Sequence, residues 1–320
     1  MKFNVLTYLL IILFFVSCDS LRQEVEPKGI VQEPQKLVVA CFISPQDTVL
    51  AARVTYSLPV LGTGSQNNSD VPNATVRLSD GDRFVLLQPE KITDAWLYGG
   101  SYTLYRANPD EFPIIAGKSY TLIVQVPDGR QVKAICKVPG SVPLQQVIID
   151  SAITTEFGDR RKSYYARLRW RDPSGATNFY RVAGNNEYAQ RRLISTSPNG
   201  SGPFRDTVVY YRGDWFFERG TTITDAGRDG EEITSTRGRL SPFSYTLVNG
   251  IWLATPPSGQ LQAYLLNVEE NYYRYHDEVE RQNQSRDNPF AEPVPISTNI
   301  QGGLGCFGAY NRSSLTLYIK

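Results

Sequence analysis

Histidine is almost absent from this chain, which contains a single one, His276, among its 320 residues. A Ser-His-Asp triad uses histidine as its general base, and two histidines are typical of catalytic zinc sites and iron facial triads. Each of these sites is therefore excluded or reduced to His276. Because this residue lies within a predicted helix, we interpret it as a residue of the helix surface or boundary.

Cysteine is also scarce, with four residues and no Cys-x-x-Cys pair, which argues against structural zinc. Cys41 and Cys136 fall in the first and last strands that we predict for one domain. A disulfide between them would suit an oxidising compartment, and burial as free thiols is the other interpretation. Spacing does not determine connectivity, so both stay open. Cys306 is interpreted as a small buried side chain.

Neither sign of charge is in excess once the N-terminal segment is removed. Loss of residues 1–17 takes away Lys2 and leaves 32 basic and 32 acidic residues. The chain has no basic stripe and no block of like charges, which argues against nucleic acid as a partner.

A run long enough to span a membrane is missing at the N-terminus. The apolar stretch from Val5 to Val16 is interrupted only by Thr7 and Tyr8, and it is shorter than the roughly 20 residues of a membrane-spanning helix. Ser17 stands directly before Cys18, as a lipoprotein signal peptidase requires. The sequence therefore predicts a signal peptide at 1–17 and a mature chain anchored in a lipid membrane through acylated Cys18.

Residues 18–36 are polar, contain two prolines and show no hydrophobic period, so they predict a flexible tether. The acidic residues Asp19, Glu24 and Glu26 resemble an export signal that sends lipoproteins to the outer face of the outer membrane. A solvated linker without such a signal is the alternative. Which face of the membrane the protein occupies therefore stays open.

Tyrosine and phenylalanine are abundant, and short alternating runs dominate the rest of the chain. Residues 37–140 contain about seven short strands with turn signals such as Asp80-Gly81, which predicts an immunoglobulin-like or transthyretin-like β-sandwich. Tyr120 follows Gly-Lys-Ser, and it fits either a corner tyrosine with a hydrogen-bonded hydroxyl or a simple core residue.

Residues 141–320 predict a second β-rich domain with one amphipathic helix near 268–284. Leu265, Val268, Tyr272 and Val279 recur at helical spacing, and Asn267 with Glu270 resembles a capping box. We expect this helix to lie across a sheet.

Two motifs of this region resemble known sites without fitting them. Residues 303–308 match G-x-G-x-x-G, but only twelve residues follow Gly308, so no dinucleotide-binding βαβ unit fits. We expect these glycines to allow a tight turn or a close backbone contact. The segment 225–232 faintly resembles a calcium loop, but Thr236 occupies the twelfth position, so a surface turn is the better interpretation. Paired catalytic carboxylates have no sequence signature, and no pair is indicated. We predict no catalytic residue, no metal ligand and no cofactor.

Several motifs together resemble the Bacteroidetes lipoprotein family called domain of unknown function 4249. They are the segments 37–48, 117–122, 272–275, 288–295 and 299–310. Members of this family resemble accessory lipoproteins of TonB-dependent outer-membrane transporters, so the resemblance implies an outer-membrane location and such a partner. The family offers no catalytic residues to carry over.

The first functional hypothesis is a non-enzymatic outer-membrane lipoprotein that captures a ligand or docks on a transporter, with exposed tyrosines supplying contact area. A structural or assembly factor of the cell envelope is the alternative. A hydrolase with two catalytic carboxylates is the third and least favoured hypothesis. The ligand and the oligomeric state cannot be derived from the sequence.

Overall fold

The structure, a computed structural model, describes residues 34–58, 69–93, 100–156, 158–197, 202–242, 244–285, 288 and 290–319. The predicted signal peptide, Cys18 and the tether up to residue 33 lie outside the described residues. Residues 34–36 of the tether are exposed coil. Within the described part of the chain, no helix is long and apolar enough to cross a membrane.

Strands hold 57% and helix 6% of the residues, which confirms the prediction of a mainly β protein. In chain order the strands are β1 (Leu37–Ile43), β2 (Leu50–Tyr56), β3 (Thr75–Ser79), β4 (Phe84–Thr93), β5 (Ser101–Ala107), β6 (Ser119–Gln125), β7 (Gln131–Lys137), β8 (Leu144–Glu156), β9 (Asp159–Arg171), β10 (Phe179–Ser195), β11 (Phe204–Asp214), β12 (Phe216–Phe217), β13 (Thr222–Thr224), β14 (Glu232–Thr234), β15 (Gly238–Arg239), β16 (Tyr245–Val248), β17 (Ile251–Ala254), β18 (Gly259–Val268) and β19 (Leu304–Ile319). The described helix is α1 (Glu270–Ser285).

These strands form two sheets. The larger is 12-stranded, with the order β11-β10-β18-β19-β1-β2-β5-β4-β3-β6-β7 and with β13 added beside β10. The smaller is 7-stranded and is built around the long β9, which pairs with β8, β14, β15 and β17. One continuous sheet therefore runs through both halves of the chain.

The first half folds into two layers because β4 crosses between them. Residues 84–87 of β4 pair with β3, and residues 88–93 pair with β5. Alternate side chains of β1 and β7 are buried between the layers, as the period of two in a strand requires. The sequence prediction of a sandwich in this region is confirmed as a fold class.

Tyr120 occupies a corner of this sandwich. Its ring is fully buried, and its hydroxyl accepts a hydrogen bond from the Ile115 N–H at 2.8 Å and donates to the Pro113 carbonyl at 3.4 Å. The hydroxyl thus ties the strand start to the chain a few residues upstream. The corner-tyrosine interpretation is the one the structure supports.

A second core lies between the 7-stranded sheet and the inner face of β10, β18 and β19. Trp170 of β9 and Tyr180 of β10 are both fully buried there and meet edge to face, with ring centroids 5.1 Å apart. Leu261, Ala263 and Leu265 of β18 point into the same core. In chain order the first core runs from Leu37 to Val138 and is completed by Ile300, Phe307 and Ala309, whereas the second begins at Val142, close to the predicted boundary.

Strand β19 joins the two halves. It pairs antiparallel with β18 and parallel with β1, where Gly305 lies opposite Val39. A Cβ on Gly305 would lie 2.1 Å from the Val39 carbonyl oxygen, and its φ of +103° is unfavourable for residues with a side chain. A Cβ on Gly308 would meet Tyr272 of the helix at 2.9 Å. The prediction that these glycines allow close backbone contact is confirmed. The bounds of the two domains remain a prediction, because one strand serves both.

Helix α1 lies across β19 and β10, as expected of the predicted helix, but its start differs from the prediction. Leu265, Asn267 and Val268 belong to β18, and the Asn267 side chain donates to the Gly140 carbonyl at 3.0 Å. The cap is Glu269, whose carboxylate accepts from the Tyr272 N–H at 3.2 Å. The capping-box prediction was wrong because the register of β18 with β10 extends the strand to Val268.

Candidate functional site

The larger sheet leaves much of its outer face open beyond α1. On β10, Val182 points into the second core, so Arg181, Ala183 and Asn185 point to the outer face. By the same alternation Tyr264 on β18 and Arg312 on β19 share that face. The Arg312 guanidinium lies over the Tyr264 ring at 5.2 Å from its centroid.

A gap in strand pairing opens a cavity on this face. Strand β11 pairs with residues 185–195 of β10, and β13 pairs with residues 179–181, so the three positions between them have no strand on that side. Two backbone bonds hold the intervening segment, from the Trp215 N–H to the Gly184 carbonyl at 2.8 Å and from the Val182 N–H to the Thr221 carbonyl at 2.9 Å. The resulting cavity has a volume of about 320 Å³.

The Trp215 indole closes this cavity from the side of the core. Its ring lies directly against Gly184, where an added Cβ would come within 2.1 Å of the ring. Phe217 and Leu266 add apolar surface to the lining. A Gly at position 184 is therefore required for the tryptophan to stand where it does.

Charged groups of the cavity are not paired with each other. Arg181 donates from Nε to the Thr221 hydroxyl at 3.1 Å and from Nη1 to the Tyr272 hydroxyl at 3.1 Å, and both acceptors are neutral. Arg212 and the Asp214 carboxylate also line the cavity and have no hydrogen-bond or ion-pair partner among the described residues. The lining thus carries two positive charges and one negative charge.

Two buried polar atoms in the cavity wall lack partners within the described residues. They are Oδ1 of Asn185, a residue only 1% exposed, and Nε1 of Trp215, which is 6% exposed. Leaving such a group unsatisfied costs about 1–3 kcal/mol. The Asn185 side-chain amide donates to the Tyr264 hydroxyl at 3.3 Å, so one end of this side chain is satisfied and the other is not.

A second depression, of about 400 Å³, lies in the sandwich, but it differs in its chemistry. Its charged residues, Glu90 and Arg106, form an ion pair at 2.6 Å, in which Glu90 is exposed and Arg106 is half-buried. Because these charges satisfy each other, this depression offers less to a ligand than the cavity beside Trp215.

His276 packs into an aromatic cluster beneath α1. Its ring centroid lies 4.3 Å from that of Tyr272 and 5.0 Å from that of Phe42, and its Nε2 is buried without a partner among the described residues. Burial, with a smaller effect of the Arg181 charge, lowers the pKa of His276 to about 3. The side chain is therefore neutral, at the boundary between helix and sheet where the sequence analysis placed it.

The same interface contains two partly buried acids. Burial raises the pKa of Asp47 although the Tyr310 hydroxyl donates to it at 2.8 Å, and burial also raises the pKa of Glu269 at the helix cap. Their hydrogen bonds join β19 and α1 to the rest of the sheet, which is a structural role.

Three aspartates converge elsewhere. Ligand oxygens of Asp172, Asp225 and Asp229 all lie within 4.8 Å of one another, and they form the one group among the described residues with the spacing to hold a metal ion. Protein donors already serve them: the Gly230 N–H and the Tyr180 hydroxyl bond to Asp172, and backbone N–H groups bond to the other two. The aspartates thus fasten two loops together, and these bonds explain the burial of Asp172 and Asp225 without an ion.

The predicted sites fall in different places. Cys18 lies outside the described residues. Cys41, Cys136 and Cys306 are buried free thiols, so the disulfide considered for Cys41 and Cys136 is not formed in the structure. Burial raises the pKa of Cys306 to about 12, so these thiols are unreactive small side chains. The segment 225–232 contains turns, as expected, but Asp225 is only 4% exposed.

Sequence reasoning missed the cavity altogether. Its charged and aromatic residues come from β10, β11, β18 and the segment after β11, and none of them forms a local motif. The available signal was weak: a Gly-Asn-Asn interruption at 184–186 inside an otherwise regular strand.

The chain belongs to the DUF4249 family, described as a domain of unknown function, whose family model matches residues 22–316. The match covers nearly the whole chain and confirms the resemblance stated from the motifs. No curated protein matches the chain.

Proposed function

We propose that the protein is a lipid-anchored outer-membrane protein without enzymatic activity that serves a TonB-dependent transporter as an accessory capture or docking component. The N-terminal pattern supports the anchor, since a small residue precedes Cys18 after a short apolar run. The tether of residues 18–36 would let the folded part stand clear of the bilayer.

One structural observation carries the docking part of this proposal, the projecting hairpin of β10 and β11. Strand β18 supports β10 only over residues 179–186, whereas β10 and β11 pair with each other out to Ser195 and Phe204. The hairpin therefore extends beyond the sheet as two strands. Such a pair is marginally stable alone and gains from a partner.

The outer face of this hairpin is apolar and exposed. Three side chains that share the face are Leu193, Phe204 and Tyr210, which are 70%, 65% and 74% exposed. An exposed row of this kind on a soluble domain marks an interaction surface, and aromatic residues are enriched in interfaces.

Charge defines the partner further. The projecting part, residues 187–195 and 204–212, contains four arginines against two acids, Glu187 and Asp206, and none of these arginines forms an ion pair with a described residue. Arg191 shares the apolar face, whereas Arg192 and Arg205 lie on the opposite face. The hairpin therefore complements an acidic protein surface with apolar centres, and we assign that surface to the transporter.

The test is a pull-down of the tagged, acylated protein from solubilised outer membranes. We expect a β-barrel transporter to co-purify with the wild type and with Phe84→Ser, in which a phenylalanine 56% exposed in the sandwich is removed. The double variant Leu193→Ser/Phe204→Ser should lose the transporter, because it removes two of the most exposed apolar side chains from the hairpin face.

Two outcomes would overturn the docking proposal: no barrel with the wild type, or equal amounts with the hairpin variant. Recovery of anionic lipid alone, or of an envelope protein that is not a transporter, would also count against it. The anchor is tested separately with Cys18→Ala, which should remove the protein from the outer-membrane fraction and leave residues 1–17 uncleaved.

A further inference from the structure

The charges of the cavity beside Trp215 determine what kind of molecule it can accept. Arg181 and Arg212 bring two guanidinium groups, and Asp214 brings one carboxylate. Since no described acid neutralises either arginine, the lining has a net charge of one positive unit. A ligand of one negative charge would balance it.

The strand register places the two arginines at opposite ends of the cavity, with Asp214 between them. Arg212 lies opposite Glu187 and Asp214 lies opposite Asn185 on β10, whereas Arg181 stands four residues before Asn185 on the same face. Asp214 is thus flanked by an arginine on either side. A bound molecule would contact an arginine guanidinium and, beside it, the Asp214 carboxylate, which accepts hydrogen bonds.

The unsatisfied atoms add a second, independent observation. Asn185 Oδ1 is an acceptor and Trp215 Nε1 is a donor, and both belong to residues more than nine-tenths buried in the cavity wall. Buried polar atoms are almost always paired in native proteins. A polar molecule in the cavity would provide what the protein itself does not.

We propose that this cavity binds a small organic carboxylate that carries a hydroxyl or ammonium donor near the carboxylate. The inference names the ligand class for the capture role and so rests on the proposed function. A guanidinium matches a carboxylate through two parallel hydrogen bonds, while Asp214 receives the donor and Tyr264, Phe217 and Leu266 contact the carbon skeleton.

Phosphate monoesters fit less well. They carry nearly two negative charges at neutral pH, which exceeds the net charge of the lining and brings an anion close to Asp214. The cavity of about 320 Å³ is at the small end of ligand sites, so it suits a single sugar or a dipeptide. An acidic sugar and the C-terminus of a short peptide present the same chemistry, and the experiment separates them.

The experiment is calorimetric titration of the purified full-length protein in detergent with matched probes. Glucuronate is compared with glucose, and N-acetyl-alanyl-serine with its C-terminal amide. We expect at least one carboxylate probe to bind about tenfold or more tightly than its neutral counterpart, since a charge-assisted bidentate pair is lost in the latter. The probe that binds identifies an acidic sugar or a peptide as the source.

Variants locate the binding. Arg212→Gln should weaken the carboxylate probe about tenfold or more and leave the neutral probe unchanged. Arg205→Gln, a substitution on the same strand outside the cavity, should leave both unchanged. The proposal is overturned if neither carboxylate binds at millimolar concentration, if neutral and charged probes bind equally, or if the two variants behave alike.

Failure here is distinguishable from failure of the proposed function. The titration uses no transporter, and the pull-down uses no ligand. If a transporter co-purifies with the protein but no carboxylate binds in the titration, only the proposed ligand class is overturned. Carboxylate binding without a transporter would overturn only the docking role.

Discussion

The N-terminal sandwich and the C-terminal half of the protein differ in how many of their buried polar atoms lack a hydrogen-bond partner. Among the described residues, thirteen buried side-chain polar atoms have no hydrogen-bond partner, and two of them, on Asp70 and Arg106, lie in the sandwich. The other eleven lie beyond Gly140. Tyr105 illustrates the sandwich, because its buried hydroxyl bonds to the Ala74 N–H and the Val71 carbonyl.

Unpaired polar atoms in a core destabilise a fold. Their uneven distribution therefore indicates that the two halves have different roles, one structural and one in binding. The sandwich satisfies its groups and behaves as a scaffold. The second half carries the open sheet face, the cavity and the projecting hairpin. Eight of its eleven unsatisfied atoms lie on β8 and β9, and two, on Asn185 and Trp215, lie in the cavity wall, where they are available to a ligand. The predictions below test whether this contrast holds.

The largest effect on stability is expected where β19 pairs with β1, which we call the seam between the two halves. Gly305→Ala would place a Cβ 2.1 Å from the Val39 carbonyl oxygen at a φ of +103°. Both the clash and the strained backbone would break the pairing of β19 with β1, so we expect a loss of about 4 kcal/mol or more in the free energy of unfolding. Urea unfolding of the purified protein measures it.

Gly81→Ala is the matched control. Gly81 has a similar φ of +99°, but nothing lies within 4 Å of an added Cβ. Only the backbone term remains, and it costs about 1–2 kcal/mol. Equal losses for the two variants would show that the close contact at the seam is not a determinant of stability.

The seam also shows where sequence reasoning stops. A nearly all-apolar run predicted a strand at 37–44, close to β1, and alternation predicted one at 131–138, close to β7. The turn at Asp80-Gly81 was found where expected. The parallel pairing of β1 with β19 joins residues more than 260 positions apart, and no local pattern encodes such a contact. The glycines indicated a close approach without indicating what approaches.

Strands were missed where their pattern is weak. The sequence pattern predicts two short strands, 178–184 and 193–195, where the structure has the single strand β10, and it predicts no strand in place of β5. The polar stretch between those pieces looks like a loop, and only pairing with β11 makes it a strand. The cavity escaped detection for the same reason, because its lining depends on a gap in that pairing.

The second prediction compares two buried asparagines of the second half, one bonded to the sandwich part of the chain and one in the cavity wall. Both amide ends of Asn311 are bonded, from the Gln46 side chain at 2.9 Å and to the Pro139 carbonyl at 3.0 Å. Asn311→Leu leaves two partners unsatisfied and should cost about 2–4 kcal/mol in urea unfolding.

Asn185→Leu should cost less than about 1 kcal/mol, because Oδ1 has no partner to lose and the bond to Tyr264 is long, at 3.3 Å. The same substitution should abolish carboxylate binding in the titration. If Asn185→Leu is as destabilising as Asn311→Leu, the asparagine belongs to the scaffold, and the contrast between the two halves fails at the cavity.

The smallest effect concerns the dependence of stability on pH at His276. Its pKa is lowered to about 3 in the folded protein, mainly by burial against Phe42 and Tyr272 and also by Arg181, whereas the unfolded chain has the ordinary value of about 6.5. Between these two values the unfolded state binds more protons than the folded state. Stability must therefore fall as the pH is lowered through this window.

His276→Phe keeps an aromatic ring in the cluster and removes the proton. From pH 7 to pH 5 the wild type should lose about 1–2 kcal/mol more than this variant, which urea unfolding at both pH values measures. Asp47 and Glu269, whose pKa values are raised by burial, act in the opposite direction. They are present in both proteins and cancel in the difference. Identical pH profiles would mean that His276 is hydrated in solution, and that the interface of α1 with the sheet is looser than the sandwich core.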